Sequence, residues 1–265
     1  SAFTPAPLTL PAHSSMMTGL YPPSHEAHMH NGDHLADSNV TLAEILRQAG
    51  YRTAAFIGAF PLDAMYGLNQ GFDTYDCQFS TKRKTLLYSE RKAGEVTRPA
   101  LAWLNNHGDK PFFLFLHYFD AHFPYEPPPP FDTAWADDKY AGEIAYVDRC
   151  IGQVTDRLRA LGLYDKTLII VTGDHGESLG EHGEQTHGFL MYQGTLHVPL
   201  VIHAPGIVTS RTVNGNVSLV DIVPTVLELV RLRSPPHLHG VSLASCLAGK
   251  APPDAGRQIY CESVV

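Results

Sequence analysis

Gly173-Asp174-His175-Gly176-Glu177 follows an apolar run, TLIIVT at residues 167–172, that reads as a strand. An Asp and a His side by side at a strand end offer one carboxylate oxygen and one imidazole nitrogen to a single cation. The same residues also suit a Gly-rich turn with a capping aspartate. The metal reading draws on the rule that loops at strand ends carry function. Farther on comes His187-Gly188, after Glu181-His182-Gly183-Glu184. His187 could bind a second metal or a substrate oxyanion, and His182 reads as a solvated loop residue.

The other half of the chemistry sits near the start, in Thr9-Leu10-Pro11-Ala12-His13-Ser14-Ser15. A hydroxyl just before a helix lies in the positive field of that helix, and the free N–H groups there favour anionic oxygens. Both effects stabilise an alkoxide, and a metal contact stabilises it further. Local sequence alone favours the plainer alternative, in which Thr9 is an N-cap. Between the two regions lies His117-Tyr118-Phe119-Asp120-Ala121-His122, which follows the apolar run PFFLFL. His122 reads either as an oxyanion contact or as ordinary loop polarity, and Asp120 is the weaker candidate.

The elements that must position these residues alternate between strand and helix. Helices are expected over residues 11–20, 41–49 (with Thr41 and Glu44 as a capping box) and 221–231. A helix over residues 138–161 should bury Ile144, Val147, Ile151, Val154, Leu158 and Leu161, which recur at spacings of three and four. Strands are expected at residues 53–57, 112–117, 167–172 and 198–203. The second suits a central strand, and TLIIVT is the most convincing parallel one. YEPPPPF at residues 125–131 should be a rigid surface loop. The alternation indicates one α/β domain with a mainly parallel central sheet and helices on both faces. Sites in such sheets lie at the carboxyl ends of strands.

The 265 residues are 44% hydrophobic and 17% charged, which supports a sizeable core and excludes a disordered chain. A net charge of -8 argues against a nucleic-acid partner but not against anionic small substrates, because a bound metal reverses the local sign. Fifteen histidines in an acidic chain raise the expectation of a metal site. The four cysteines form no CxxC pair, and one disulfide stays open. No run of 18 apolar residues exists, so no membrane segment is expected. No signal peptide is visible, and a start at Ser1 without Met suggests an upstream segment, so localisation stays open.

Together these pieces resemble the sulfatase family of the alkaline-phosphatase superfamily. The resemblance is carried by TLPAHSSMMTGLYPP (residues 9–23), GYRTAAFIG (50–58), PFFLFLHYFDAHFPYEPP (111–128), GDHGESLGEHGEQTHG (173–188), VPLVIHAPG (198–206) and LVDIVPTVLEL (219–229). It implies a covalent ester hydrolase acting on a small anionic ester. Thr9 takes the nucleophile position of a Cys/Ser-x-Pro-x-Arg motif, and His13 replaces the Arg as a substrate contact. Asp174, His175 and Thr9 would hold a divalent metal. His122 and His187 would act on the ester as catalytic contacts, and Asn31 would touch a substrate oxygen. Asp, His and Thr ligands suit zinc or manganese better than calcium.

Four departures accompany the resemblance. Threonine cannot become the formylglycine that a sulfatase makes from its cysteine. Gly58-Ala59-Phe60-Pro61 stands where the family has GKWH, so its sulfate-binding Lys and His are missing. Asp174-His175 replaces the usual Asp-Asn and is similar to the pair of phosphonate hydrolases and phosphoethanolamine transferases, which also use threonine. These three favour phosphate or phosphonate esters over sulfate esters. Lastly, family chains begin with a buried strand that ends in an acidic ligand. The resemblance therefore implies that residues 1–265 are a catalytic domain without its N-terminal strand. Two alternatives remain: a phosphoethanolamine-type transferase, and an inactive protein that keeps the fold. The segment 76–94 and YEPPPPF are expected to shape the pocket for the substrate's organic part.

Overall fold

A computed structural model describes residues 1–29, 32–79, 89–207, 210–250 and 256–264. The chain begins with β1 (Ala2–Phe3), α1 (Thr9–Thr18), α2 (Pro22–His25), α3 (Leu42–Gln48), β2 (Arg52–Phe56) and β3 (Thr74–Asp76). Next come α4 (Ala93–His107), β4 (Phe112–Leu116), α5 (Phe131–Ala134), α6 (Lys139–Ala160) and β5 (Ile169–Thr172). It continues with α7 (Gln193–Leu196), β6 (His197–Val198), β7 (Leu200–His203), β8 (Val217–Ser218), α8 (Ile222–Leu229) and α9 (Ala244–Leu247). These elements fall into two compact units. The first comprises Ser1–Leu42, Tyr66–Leu68 and Lys166–Val265, and the second comprises Ala43–Met65 and Asn69–Asp165.

The second unit is built on a parallel sheet of order β3-β2-β4, the α/β arrangement expected from the alternation. α4 packs on β2 and β4, and α6 packs on α4. The central place belongs to β2, not to the more apolar β4. Ala54 and Ala55 are fully buried there, and their short side chains let neighbouring elements approach closely. β4 flanks β2 among the described residues, and all five of its residues are half-buried. Arg91 ties the carboxyl ends of β2 and β3 together. Its guanidinium donates to the Ile57 carbonyl at 2.6 and 2.9 Å and to Asp76 at 2.9 and 3.1 Å.

α6 corrects the expected burial. Asp138 caps it by accepting the Ala141 N–H at 3.0 Å, and Gly162 ends it with a φ of 67°. Its buried residues are Gly142, Glu143, Cys150 and Leu158, whereas Ile144 is 47% exposed. Leu158 is buried as expected and Val147, Ile151, Val154 and Leu161 are half-buried, but the N-terminal part of the helix is turned so that Glu143 and Tyr146 make polar contacts with α4 and the loop after β4. YEPPPPF is a loop as expected, except that Phe131 opens α5.

In the first unit, β1 lies between β6, to which it is antiparallel, and β8, to which it is parallel. The strand read from TLIIVT, β5, pairs with β7 in antiparallel register from Ile169↔His203 to Thr172↔Leu200, contrary to the parallel expectation. A parallel pair needs a long crossover, usually a helix. The chain between β5 and β7 holds a 3-10 turn, Glu181–Gly183, the four residues of α7 and the two of β6, with no crossover helix, and it doubles back. VPLVIH is divided by Pro199 into β6 and β7. The expected helix 221–231 is a 3-10 turn, Leu219–Asp221, running into α8. Asp221, fully buried, accepts the Ser218 and Val241 N–H groups at 2.8 Å each and a two-point contact from Arg257 at 2.6 and 2.8 Å. Removing one partner of such a pair costs about 3–5 kcal/mol.

α1 carries Thr9, and a buried histidine braces it. His25 accepts the Ala27 N–H on Nδ1 at 3.1 Å, so its proton sits on Nε2 and is donated to Ser15 Oγ at 2.9 Å. Burial, and then repulsion by His28, pushes its pKa down to about 4. The unfolded chain therefore takes up the proton first as the pH falls. The stability His25 contributes is complete above about pH 6.5 and is lost down to about pH 4, amounting to about 3 kcal/mol. Urea unfolding at pH 7.5 and pH 4.5 should show a loss of this order that is smaller in His25→Asn. Equal losses in the two chains would remove His25 from the account.

Cys77, Cys150, Cys246 and Cys261 are free thiols, which closes the disulfide question. Among the described residues, no helix is long and apolar enough to cross a membrane.

Candidate active site

Thr9 is the first residue of α1, and the cap position belongs to Leu8. No side chain caps this helix, which removes the N-cap reading of Thr9. Pro11 belongs in this first turn because it has no N–H to leave unbonded. Thr9 is 6% exposed, and its Oγ1 lies 3.4 Å from His175 Nε2, across 166 positions of sequence. One helical turn on, His13 falls on the same face. Its Nδ1–H donates to the Thr9 carbonyl at 2.8 Å and lies 3.5 Å from Asp174 Oδ2.

The loop after β5 presents Asp174 and His175. His175 donates Nδ1–H to the Gly176 carbonyl at 2.9 Å, which leaves the lone pair on Nε2. Burial pushes the His175 pKa down, against a smaller upward pull from Asp174, so the ring stays neutral. Gly176 is required here, because a Cβ would meet the Gly194 carbonyl oxygen at 2.0 Å. The His187 ring packs on His175 with centroids 4.0 Å apart, and Glu177 Oε1 accepts its Nδ1–H at 3.1 Å. Glu184, buried, accepts the Phe189 and Leu190 N–H groups at 2.9 and 3.2 Å and so shapes the loop around His187.

The donor set fits a cation. Asp174 Oδ2 lies 3.4 Å from His175 Nε2, and Thr9 Oγ1 is also 3.4 Å from His175 Nε2. These separations are long for hydrogen bonds. Two ligands on one zinc ion, at 2.0–2.1 Å and the tetrahedral angle, stand about 3.3 Å apart. The His175 tautomer supplies the lone pair that a metal needs, and its Nδ1–H is held by a carbonyl in the manner of metal-binding histidines.

Thr9, His13, Asp174, His175 and His187 thus belong to one unit, with the first four in a chain of close contacts and the His187 ring packed at a tilt against His175. His182 is exposed and stacks on Tyr192, as expected of a loop residue. His122 belongs to the second unit, where its ring stacks on Phe119 at 4.0 Å and donates Nδ1–H to the Phe123 carbonyl at 2.6 Å. Asn31 lies outside the described residues, as do residues 80–88 of the segment expected to shape the organic pocket. Described parts of that segment, including Asp76, Phe79 and Arg91, line a hollow of about 480 Å³ in the second unit. Glu177, which holds the His187 ring, was not among the expected site residues. Its only sequence signal is its place in the GDHGE run.

Residues 1–232 match the Sulfatase family. The chain belongs to the sulfatase family. Among curated relatives, this sulfatase-family chain is 43% identical to arylsulfatase K of Bos taurus over 104 residues, 39% of this chain and 19% of the relative. Against the Homo sapiens protein the figures are 39% over 104 residues, again 39% and 19%. The matched part thus spans about a fifth of those relatives' length. Solved structures share the sulfatase fold over nearly the whole chain. The phosphonate monoester hydrolase of Silicibacter pomeroyi aligns with a TM-score of 0.80 at 22% identity, covering 96% of this chain and 70% of that one. The phosphonate monoester hydrolase of Agrobacterium radiobacter gives 0.81 at 21%, covering 97% and 70%. BT4656, bound to its substrate D-glucosamine-2-N,6-O-disulfate, gives 0.78 at 19%, covering 97% and 74%. At these identities the alignments establish the fold alone.

Proposed function

We propose that this protein is a metal-dependent hydrolase of small anionic monoesters that works through a covalent Thr9 ester and prefers phosphorus to sulfur. The observation that carries the reading is Thr9 Oγ1 at a helix N-terminus, 3.4 Å from the lone-pair nitrogen of His175. Asp174 and His175 would hold a divalent cation together with Thr9, and a cation there would supply Lewis acidity that lowers the pKa of a hydroxyl ligand. Thr9 Oγ1 attacks the phosphorus in line. The bond to the ester oxygen breaks, and the alcohol leaves with a proton. Water then cleaves the Thr9 ester and restores the hydroxyl. His187, oriented by Glu177, and His13, held on the Thr9 carbonyl, are assigned to the non-bridging oxygens. His122 and Asn31 are assigned the same task from their motif positions. The nitrogen and oxygen donors fit zinc or manganese.

The preference for phosphorus follows from three residue choices: Thr9 in place of a convertible cysteine, His175 in place of Asn, and Ala59 and Pro61 in place of the sulfate-binding Lys and His. The phosphonate monoester hydrolases with the same fold support it. A second reading, a sulfate ester, is favoured by the arylsulfatase K relatives, which are 35–43% identical over their matched parts. Turnover of nitrophenyl phosphate, nitrophenyl phenylphosphonate and nitrophenyl sulfate with added zinc or manganese separates the two. The phosphorus esters should lead in kcat/KM by at least about tenfold, or 1.4 kcal/mol. A lead of that size for sulfate establishes the second reading. Release of product with no added alcohol excludes an obligatory transferase.

A further inference from the structure

α6 buries a carboxylate where its apolar spacing puts isoleucine. The Glu143 side chain is fully buried and both its oxygens are occupied. Oε2 accepts the His122 N–H at 3.2 Å, while Oε1 accepts the Glu126 N–H at 2.9 Å and Lys92 Nζ at 2.9 Å. Lys92 Nζ also lies 3.4 Å from Asp120 Oδ1, and Asp120 Oδ2 accepts the Ala93 N–H at 2.7 Å, in the first turn of α4. Burial alone would push the Lys92 pKa down, but Asp120 and Glu143 outweigh it and hold the ammonium charged.

Such a cluster is a poor way to gain stability. Replacing a buried ion network with apolar side chains of similar volume is often neutral or stabilising. What the cluster does supply is position. It grips residues 120–126 at both ends, and His122 lies between the grips. The Nδ1–H of that ring is committed to the Phe123 carbonyl, which fixes the ring against the loop backbone.

We propose that Glu143, anchored by Lys92 and Asp120, is a positioning residue that fixes the backbone at His122, the residue whose motif position assigns it to the substrate's anionic oxygens. The proposal rests on the reading of His122 as an oxyanion contact, whereas the brace itself does not depend on that reading. Glu143→Gln tests it atom by atom. A glutamine amide has one acceptor and one donor end. Its oxygen belongs where Oε1 faces two donors, which leaves an NH₂ opposite the His122 N–H.

Amide exchange of the full chain should therefore accelerate at His122 by at least about tenfold in Glu143→Gln and stay within about threefold at Glu126. In the ester assay Glu143→Gln should lower kcat/KM by about 10–100-fold, mostly through kcat. In a His122→Ala background it should add less than about threefold, because the group it positions is gone. Glu143→Asp keeps the charge but draws the oxygens back by about 1.5 Å. It should give a weaker form of the same pattern, and it serves if the glutamine variant does not fold. Unchanged exchange at His122 overturns the brace. A loss from Glu143→Gln that is as large with His122→Ala as without it reduces Glu143 to a structural role. Full activity in His122→Ala alone overturns the oxyanion reading and the catalytic half of the proposal, while the exchange result still decides the brace.

Discussion

Thr9→Ala should lower kcat by at least about 10³–10⁵-fold while the chain stays folded. Losing a nucleophile removes the covalent route itself, whereas losing an oxyanion contact leaves that route in place. The fold should tolerate the change because Thr9 does not cap α1 and makes no side-chain contact that stabilises the helix end. The missing hydroxyl and methyl should cost about 1 kcal/mol, within the ordinary range for a point substitution. Thr9→Ser restores an oxygen at the same place and should recover turnover to within about 10–100-fold of the parent. Loss in the alanine variant with recovery in the serine variant is a pattern that misfolding does not produce. Turnover within twofold of the parent in Thr9→Ala, with the melting temperature unchanged, would end the covalent mechanism.

The second large effect is expected at Asp174. Its Oδ2 is the point at which two imidazoles converge, at 3.4 and 3.5 Å, with the side chain 21% exposed and so within reach of an entering ion. Asp174→Ala removes the one carboxylate of this set. Metal content measured after dialysis should fall from about one equivalent of zinc or manganese per chain to below about a tenth. Thermal stability supplies an independent readout. Saturation of a site at a hundred times its Kd stabilises a protein by about 2.7 kcal/mol, so added metal should raise the melting temperature of the parent but not of Asp174→Ala. Equal metal content in the two chains would move the cation elsewhere. His175→Ala should behave in the same direction, and a glutamine at position 177 should act more weakly, since Glu177 reaches the site only through His187.

The two effects are linked by chain geometry. α1 brings Thr9 and His13 to one face, and the loop after β5 brings Asp174 and His175 opposite them. The loop tolerates no side chain at 176, because the backbone at Gly194 passes where a Cβ would stand. Replacing Gly176 would therefore displace the carbonyl that holds the His175 ring.

Much of this was legible from residue order. Thr9 before Pro11, Asp174-His175 after an apolar strand, and the runs around them were enough to name the family and to single out Thr9 and Asp174-His175 as the candidates that the fold then brings together. Short-range physics reaches that far. Helical spacing located α6, Asp138 and Gly162 marked its ends, and PFFLFL and TLIIVT marked strands. What the sequence left open was every choice of partner. Whether Thr9 caps its helix or faces His175 depends on a contact across 166 positions, and helix propensity says nothing about it. The direction of β5 was misread because apolar content does not distinguish a parallel neighbour from an antiparallel one. The short elements between β5 and β7 decide that. The inward face of the N-terminal part of α6 was misread because periodicity counts apolar side chains, whereas the buried position there is occupied by Glu143 with its three donors. Tautomers were out of reach for the same reason, since the Gly176 carbonyl and the Glu177 carboxylate settle them for His175 and His187. Composition and spacing are properties of neighbours along the chain. A buried polar atom takes its role from whichever donor or acceptor the fold places within about 3 Å of it, and only the tertiary structure supplies that neighbour.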